Sequence, residues 1–184
     1  MAIGTAALII ILSVYNGFDT LIRSMMGSVE PDLLIAPATG KTFTPQGEAY
    51  DWIADQESVL NMCCVLEEDV FINYADKQSL AKAKGVDWVY EEESPLHDCM
   101  IKGTFSLHRG DVPLACVGAE LASSLGIEPH FLTPVEIYFP SRSRRISTSN
   151  PAASLERIKV WPSGVFNAGS DINKELIILQ IDKM

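Results

Sequence analysis

Three histidines, four cysteines and one arginine-rich stretch are the residues whose chemistry has to be weighed first. His97, His108 and His130 show neither H-x-x-x-H nor H-E-x-x-H spacing, so no helix offers two imidazoles to one zinc ion. His97-Asp98-Cys99 is a local cluster, but side chains adjacent along a chain point apart and seldom share a metal or a proton relay. A Cys–His nucleophile pair could use Cys99 or Cys116, and no G-x-S-x-G elbow is present. Gly40-Lys41-Thr42 has the end of a phosphate-binding loop without its beginning. The motif needs a glycine where Ile35 stands and a helix directly after Thr42, where Pro45 and Gly47 follow instead. The carboxylates carry no framing for acid–base work. Catalytic, cofactor-binding and metal-ligating residues are therefore all assigned as none, and a binding domain is expected rather than an enzyme.

Arg142, Arg144 and Arg145 place three of the fourteen basic residues within four positions. They lie in a stretch rich in hydroxyls, bounded by Pro140 and Pro151, with Ile146 as its one apolar side chain among polar neighbours. Between two expected strands this is a hairpin loop longer than the usual two to five residues, which raises the expectation of function. Arginines so placed can pair with a partner's carboxylates and set its docking rate. The formal charge of −10 excludes a general nucleic-acid binder, which needs clustered Lys and Arg. Cys63, Cys64, Cys99 and Cys116 form no C-x-x-C pair. Two disulfides are conceivable in an extracytoplasmic domain, and buried free thiols are the preferred alternative.

The elements that would hold these residues begin with an apolar run. Residues 2–15 carry no charge, and Phe18, Leu21, Ile22, Met25 and Met26 continue it as one stripe at helical period. The expectation is a single helix over 1–27, the end of a membrane helix continuing as an amphipathic stalk and closed by Gly27. A buried core helix and a signal peptide are the alternatives, the latter disfavoured by the missing basic n-region. Short strands are expected at 32–36, over 59–74 with a break at Glu67-Glu68-Asp69, near 85–88, and at 112–117, 135–139, 155–160 and 175–181. Helices are expected at 48–56 and 118–126, with Glu91-Glu92-Glu93-Ser94-Pro95 as a solvated break without chemistry. Strands outnumber helices, so the class is α+β.

Several of these stretches, in order, resemble one family. Leu12-Ser13-Val14-Tyr15-Asn16-Gly17-Phe18 looks like the end of the first membrane helix of lipoprotein-releasing ABC transporter permeases, the LolC/LolE type. Pro31 to Ala36, Lys84-Gly85-Val86-Asp87, Val117-Gly118-Ala119-Glu120-Leu121-Ala122 with Leu125-Gly126, Asn150-Pro151-Ala152-Ala153-Ser154 and Gly164-Val165-Phe166 resemble later passages of it. The resemblance implies a two-lobed MacB-like periplasmic core on an N-terminal membrane-helix stalk. A porter-like lobe would comprise 28–95 plus 161–184, and a mostly-β lobe, 96–160, would be inserted with a protruding hairpin. It further implies a permease subunit at the inner membrane with this domain in the periplasm. A separate cytoplasmic ATPase would drive it, with a second permease subunit, a lipoprotein substrate and a periplasmic lipoprotein carrier as partners. By position, Arg142, Arg144, Arg145 and Ile146 would be the carrier-binding residues, with no cofactor. A MacB- or FtsX-like efflux or hydrolase-regulating permease domain, or a membrane-anchored scaffold, is the alternative.

Overall fold

The computed structural model describes residues 2–26, 31–130, 132–140 and 155–184. Helix α1 (Ala2–Met26) comes first, then a short α2 (Glu48–Ala54). The fold proper starts with a hairpin of two ten-residue strands, β1 (Val65–Tyr74) and β2 (Lys77–Val86), in register from Tyr74↔Lys77 to Val65↔Val86. Its turn is Ala75-Asp76, and Ala75 takes φ 52° because a two-residue connection between twisted strands needs positive φ. The carboxylates at 67–69 do not break β1. Glu67 and Asp69 fall on the outward side of the pleat, and Glu68 pairs with Lys41 at 3.5 Å.

After the hairpin come α3 (Trp88–Glu93), a 3₁₀ turn at Pro95–Cys99, β3 (Met100–Gly103), the two-residue β4 (His108–Arg109), β5 (Val112–Gly118) and α4 (Ala119–Leu125). Then follow β6 (Val135–Pro140), β7 (Leu155–Phe166), α5 (Ser170–Glu175) and β8 (Leu176–Gln180). Helix α4 stops where expected. Gly126 takes φ 75°, and the Ile127 N–H reaches back to the Ala122 carbonyl at 2.8 Å.

The strands form one ring in the order β7-β6-β1-β2-β8-β5, closed by parallel pairing of β5 with β7 from Leu114↔Trp161 to Gly118↔Phe166. β3 adds to β7 and β4 to β5 outside the six-stranded ring. Closing a sheet on itself removes its free edges. Pro162 is tolerated within a central strand because it sits at a bulge. The pairing steps from Ala115↔Pro162 to Cys116↔Gly164, leaving Ser163 as the extra residue.

Burial explains the sequence pattern strand by strand. Val70, Ile72 and Tyr74 of β1, with Ala83, Val117, Ile137, Val160 and Ile177, belong to one core cluster that also takes Leu121, Ala122 and Leu125 of α4. A second cluster holds Val86, Leu96, Phe105, Leu107, Cys116, Phe166 and Ile178. β8 contributes Ile177 and Leu179 to the first and Leu176 and Ile178 to the second, so it is buried on both faces and reads as a continuous apolar run. Half-exposed β1 reads as an alternation instead.

The two-lobed MacB-like core on a membrane-helix stalk is therefore not the architecture. β1 of the expected porter-like lobe pairs directly with β6 of the expected insertion, and both belong to one closed barrel. No helix among the described residues is long and apolar enough to cross a membrane. Residues 32–36 form no strand, and β7 runs on to Phe166 where a strand over 155–160 only is expected. Helix α5, which the sequence pattern does not announce, precedes the last strand and takes Glu175 into its final turn.

Candidate functional site

The structure gives a role to the stretch that looks least informative in the sequence. Residues 88–93 are helical because Asp87 caps them. One carboxylate oxygen accepts from the Tyr90 N–H at 3.0 Å, and the other accepts from the Cys64 N–H at 2.6 Å. Ser94 leaves the helix in extended conformation, and Pro95 starts the next turn. Glu91, the first of the three glutamates, is buried, while Glu92 and Glu93 are exposed.

A buried carboxylate needs donors, and Glu91 has them. Oε1 accepts from the Leu107 N–H at 2.7 Å, and Oε2 accepts from His108 Nδ1 at 3.2 Å. The Glu91 carbonyl takes His97 Nε2 at 2.8 Å, and the His97 ring lies edge-on to Phe105 at 5.2 Å between centroids. Two of the three histidines thus meet at one residue of α3. Where Nδ1 of a neutral imidazole donates, Nε2 is left as an acceptor, so Glu91 fixes the form in which His108 meets its surroundings.

His108 lines a cleft of about 470 Å³ together with Gly103, Thr104, Ser106, Arg109, Leu114, Pro129 and Ser163. Backbone constraints shape it. Gly103 has φ 70°, and a Cβ there would collide with the Ser163 carbonyl, which accepts from the Thr104 N–H at 3.1 Å. The bulged Ser163 is buried. Its hydroxyl donates to the Ser106 carbonyl at 2.6 Å, with the Ala115 carbonyl at 3.2 Å and Cys116 Sγ at 3.2 Å also beside it. Burial pushes the Cys116 thiol up to about 11, with the Ser163 hydrogen bond pulling the other way. It is a protonated thiol at neutral pH, not an activated nucleophile. Next to the lining residues Gly103 and Pro129 in sequence, Lys102 pairs with Glu128 at 2.8 Å, and that hydrogen bond holds the Glu128 carboxyl below the usual range.

Of the residues singled out from sequence, Arg142, Arg144, Arg145 and Ile146 lie outside the described residues. Lys41 of the Gly-Lys-Thr triplet pairs with Glu68, and the next helix begins only at Glu48. The four cysteines are free thiols, but only Cys116 is buried, and Cys64 is exposed. Burial raises Cys63 and Cys64 above the ordinary thiol value, the Asp87 carboxylate adding to it. His130 stands apart from Glu91, its N–H bonded to the Glu128 carbonyl at 2.8 Å. Among the described residues no cluster of His, Cys, Asp and Glu could hold a metal ion. Sequence reasoning missed Glu91. The available signal was the N-cap Asp87 ahead of an apolar Trp88-Val89-Tyr90, which makes 88–93 a helix and turns one glutamate inward.

The second feature is α1. Leu8, Ile9, Ile10, Ile11 and Leu12 are each 52–67% exposed, as are Val14, Tyr15 and Phe18. Five consecutive leucine and isoleucine positions point in all directions around a helix, so its apolar surface has no single side.

No family model matches the chain, and no curated protein matches it.

Proposed function

We propose that the chain is the extracytoplasmic domain of an ABC transporter permease subunit at the inner membrane. In this reading it takes part in moving lipoproteins to a periplasmic carrier, driven by a separate cytoplasmic ATPase and working beside a second permease subunit. The observation that carries the reading is the exposed apolar surface of α1. A helix apolar all round is ordinarily covered by protein or lipid, and here Leu8 to Leu12 are uncovered. The ordered sequence motifs around Leu12–Phe18, 84–87 and 117–126 supply the family. The closed barrel does not, being a different architecture from the one that resemblance implies. The apolar surface of α1 rests against the membrane in this reading, and the arginine stretch at 142–145 faces the carrier.

The test is co-flotation of the whole chain with phospholipid vesicles, beside a variant carrying Ile10→Glu and Val14→Glu. Both substitutions lie at exposed positions, so the barrel is untouched. Flotation of the parent and not of the variant is expected. Equal behaviour of the two proteins would sink the membrane placement.

A further inference from the structure

We propose that the outer face of β1, β2, β6 and β7 is a self-association surface whose occupant is helix α2 of a second copy of this chain. Leu80 of β2 stands opposite Phe71 of β1, Phe71 opposite Tyr138 of β6, and Tyr138 opposite Arg157 of β7. Residues directly opposite share a face. Phe71 lies between the buried Val70 and Ile72, so this row points away from the core. Leu80 is 77% exposed in it, and the Phe71 and Tyr138 rings meet at 6.1 Å between centroids.

The row ends in positive charge. Arg157 and Lys159 share one carboxylate, Glu136, at 3.5 and 3.1 Å, and the Tyr138 hydroxyl donates to it at 3.0 Å. Two cations on one anion leave a positive excess although both are paired. Toward the other end of the hairpin Lys82 stands opposite Asp69, and Lys84 opposite Glu67, so those charges cancel. The face is therefore basic on a chain whose formal charge is −10.

Helix α2 has the complementary chemistry. From Glu48 to Glu57 the chain holds Glu48, Asp51, Asp55 and Glu57 and no lysine or arginine. Glu48, Asp51, Trp52 and Asp55 follow the i, i+3, i+4, i+7 spacing that sets an indole among three carboxylates on one side. Trp52 is 66% exposed, and no residue of α2 is buried. Isolated helices shorter than about 12–15 residues are marginal in water, and seven residues that bury nothing need a surface to pack on. On the outer face Trp52 covers Leu80 and Phe71 while Asp51 and Asp55 meet Arg157 and Lys159. Residues 56–63 belong to no helix or strand, and a stretch of that length can span roughly 27 Å, enough to reach a neighbouring copy. Exchange in both directions makes the contact twice in a two-fold dimer. This inference does not depend on the proposed transport role.

The experiment is sedimentation velocity of the whole chain over a range of concentrations, at low and high salt. Every protein carries Ile10→Glu and Val14→Glu, so that association through α1 is not what is read. One variant adds Asp51→Lys and Asp55→Lys, and a second adds Arg157→Glu and Lys159→Glu. All four positions are exposed, and thermal melts check that the folds are kept. The parent should dimerise, less tightly at high salt, and each charge variant alone should dimerise at least about tenfold more weakly. Mixing the two variants should restore the dimer, because each helix then meets a face of opposite charge. A monomeric parent, the result if α2 returns to its own barrel, would overturn the assignment. So would a charge variant that dimerises as the parent does, or a mixture that gives no dimer.

Discussion

Replacing Glu91 by alanine or by glutamine should separate two things its carboxylate does. Alanine removes the acceptor of the buried Leu107 N–H at 2.7 Å and the partner of His108 at 3.2 Å. An unsatisfied buried N–H costs about 1–3 kcal/mol, and a half-exposed ionic contact adds about 0.5 kcal/mol. The expected loss for Glu91→Ala is thus about 2–3 kcal/mol. Glutamine keeps an oxygen for Leu107 and offers an N–H to His108 Nδ1, so its loss should be about 0.5–1 kcal/mol. It should also turn the imidazole to the tautomer with the proton on Nε2. The bond from His97 goes to the Glu91 carbonyl and survives in both variants. Urea unfolding gives the stabilities from midpoints at unchanged slope, and ring ¹⁵N shifts report the tautomer. A glutamine variant as unstable as the alanine one, or an alanine variant within about 0.5 kcal/mol of the parent, the range of ordinary surface changes, would refute the burial argument.

Asp87→Ala removes the cap of α3 and the acceptor of the Cys64 N–H together, and a loss of about 2 kcal/mol in urea unfolding is expected. Gly164→Ala would set a methyl group against the Met100 side chain and 2.7 Å from the Thr104 carbonyl. Overpacking where β3 and β5 flank β7 should cost about 1–3 kcal/mol, seen as a lowered melting temperature. Cys116 should resist alkylation in the native protein while exposed Cys64 reacts, as mass spectrometry of the labelled protein would reveal. The Cys116 thiol is raised on folding, so the native state holds its proton more tightly than the unfolded one. Its contribution is complete below the ordinary value of 9.0 and is lost as pH rises through about 11. Unfolding free energy measured across that window should fall for the parent and less for Cys116→Ala.

Much of the fold was legible because local chemistry and tertiary context agree. Gly126 ends α4 as its place after Leu125 suggests, and the alternation of Val135 to Phe139 marks β6. The architecture was not legible for a physical reason. Barrel closure depends on β5 meeting β7 in parallel across more than forty intervening residues, from Leu114↔Trp161 onward, and no local pattern encodes that partner. The apparent break at Pro162 is a bulge, and a bulge and a strand end look alike in sequence. Likewise the run Glu91-Glu92-Glu93 reads as uniformly solvated, since period alone does not tell which glutamate a helix turns inward. The cleft joins residues from 103–109, 114, 129 and 163, so its existence follows from the topology alone.

The measurement that bears most directly on the proposed role is binding of the whole chain to the periplasmic lipoprotein carrier. It should be made at low and high salt, beside a variant with Arg142, Arg144 and Arg145 changed to Glu. Binding that weakens with salt and is lost in the variant is the expected result, because exposed charges steer and hold a complementary partner only while unscreened. Absence of binding by the parent protein, or binding indifferent to the three substitutions, would contradict it.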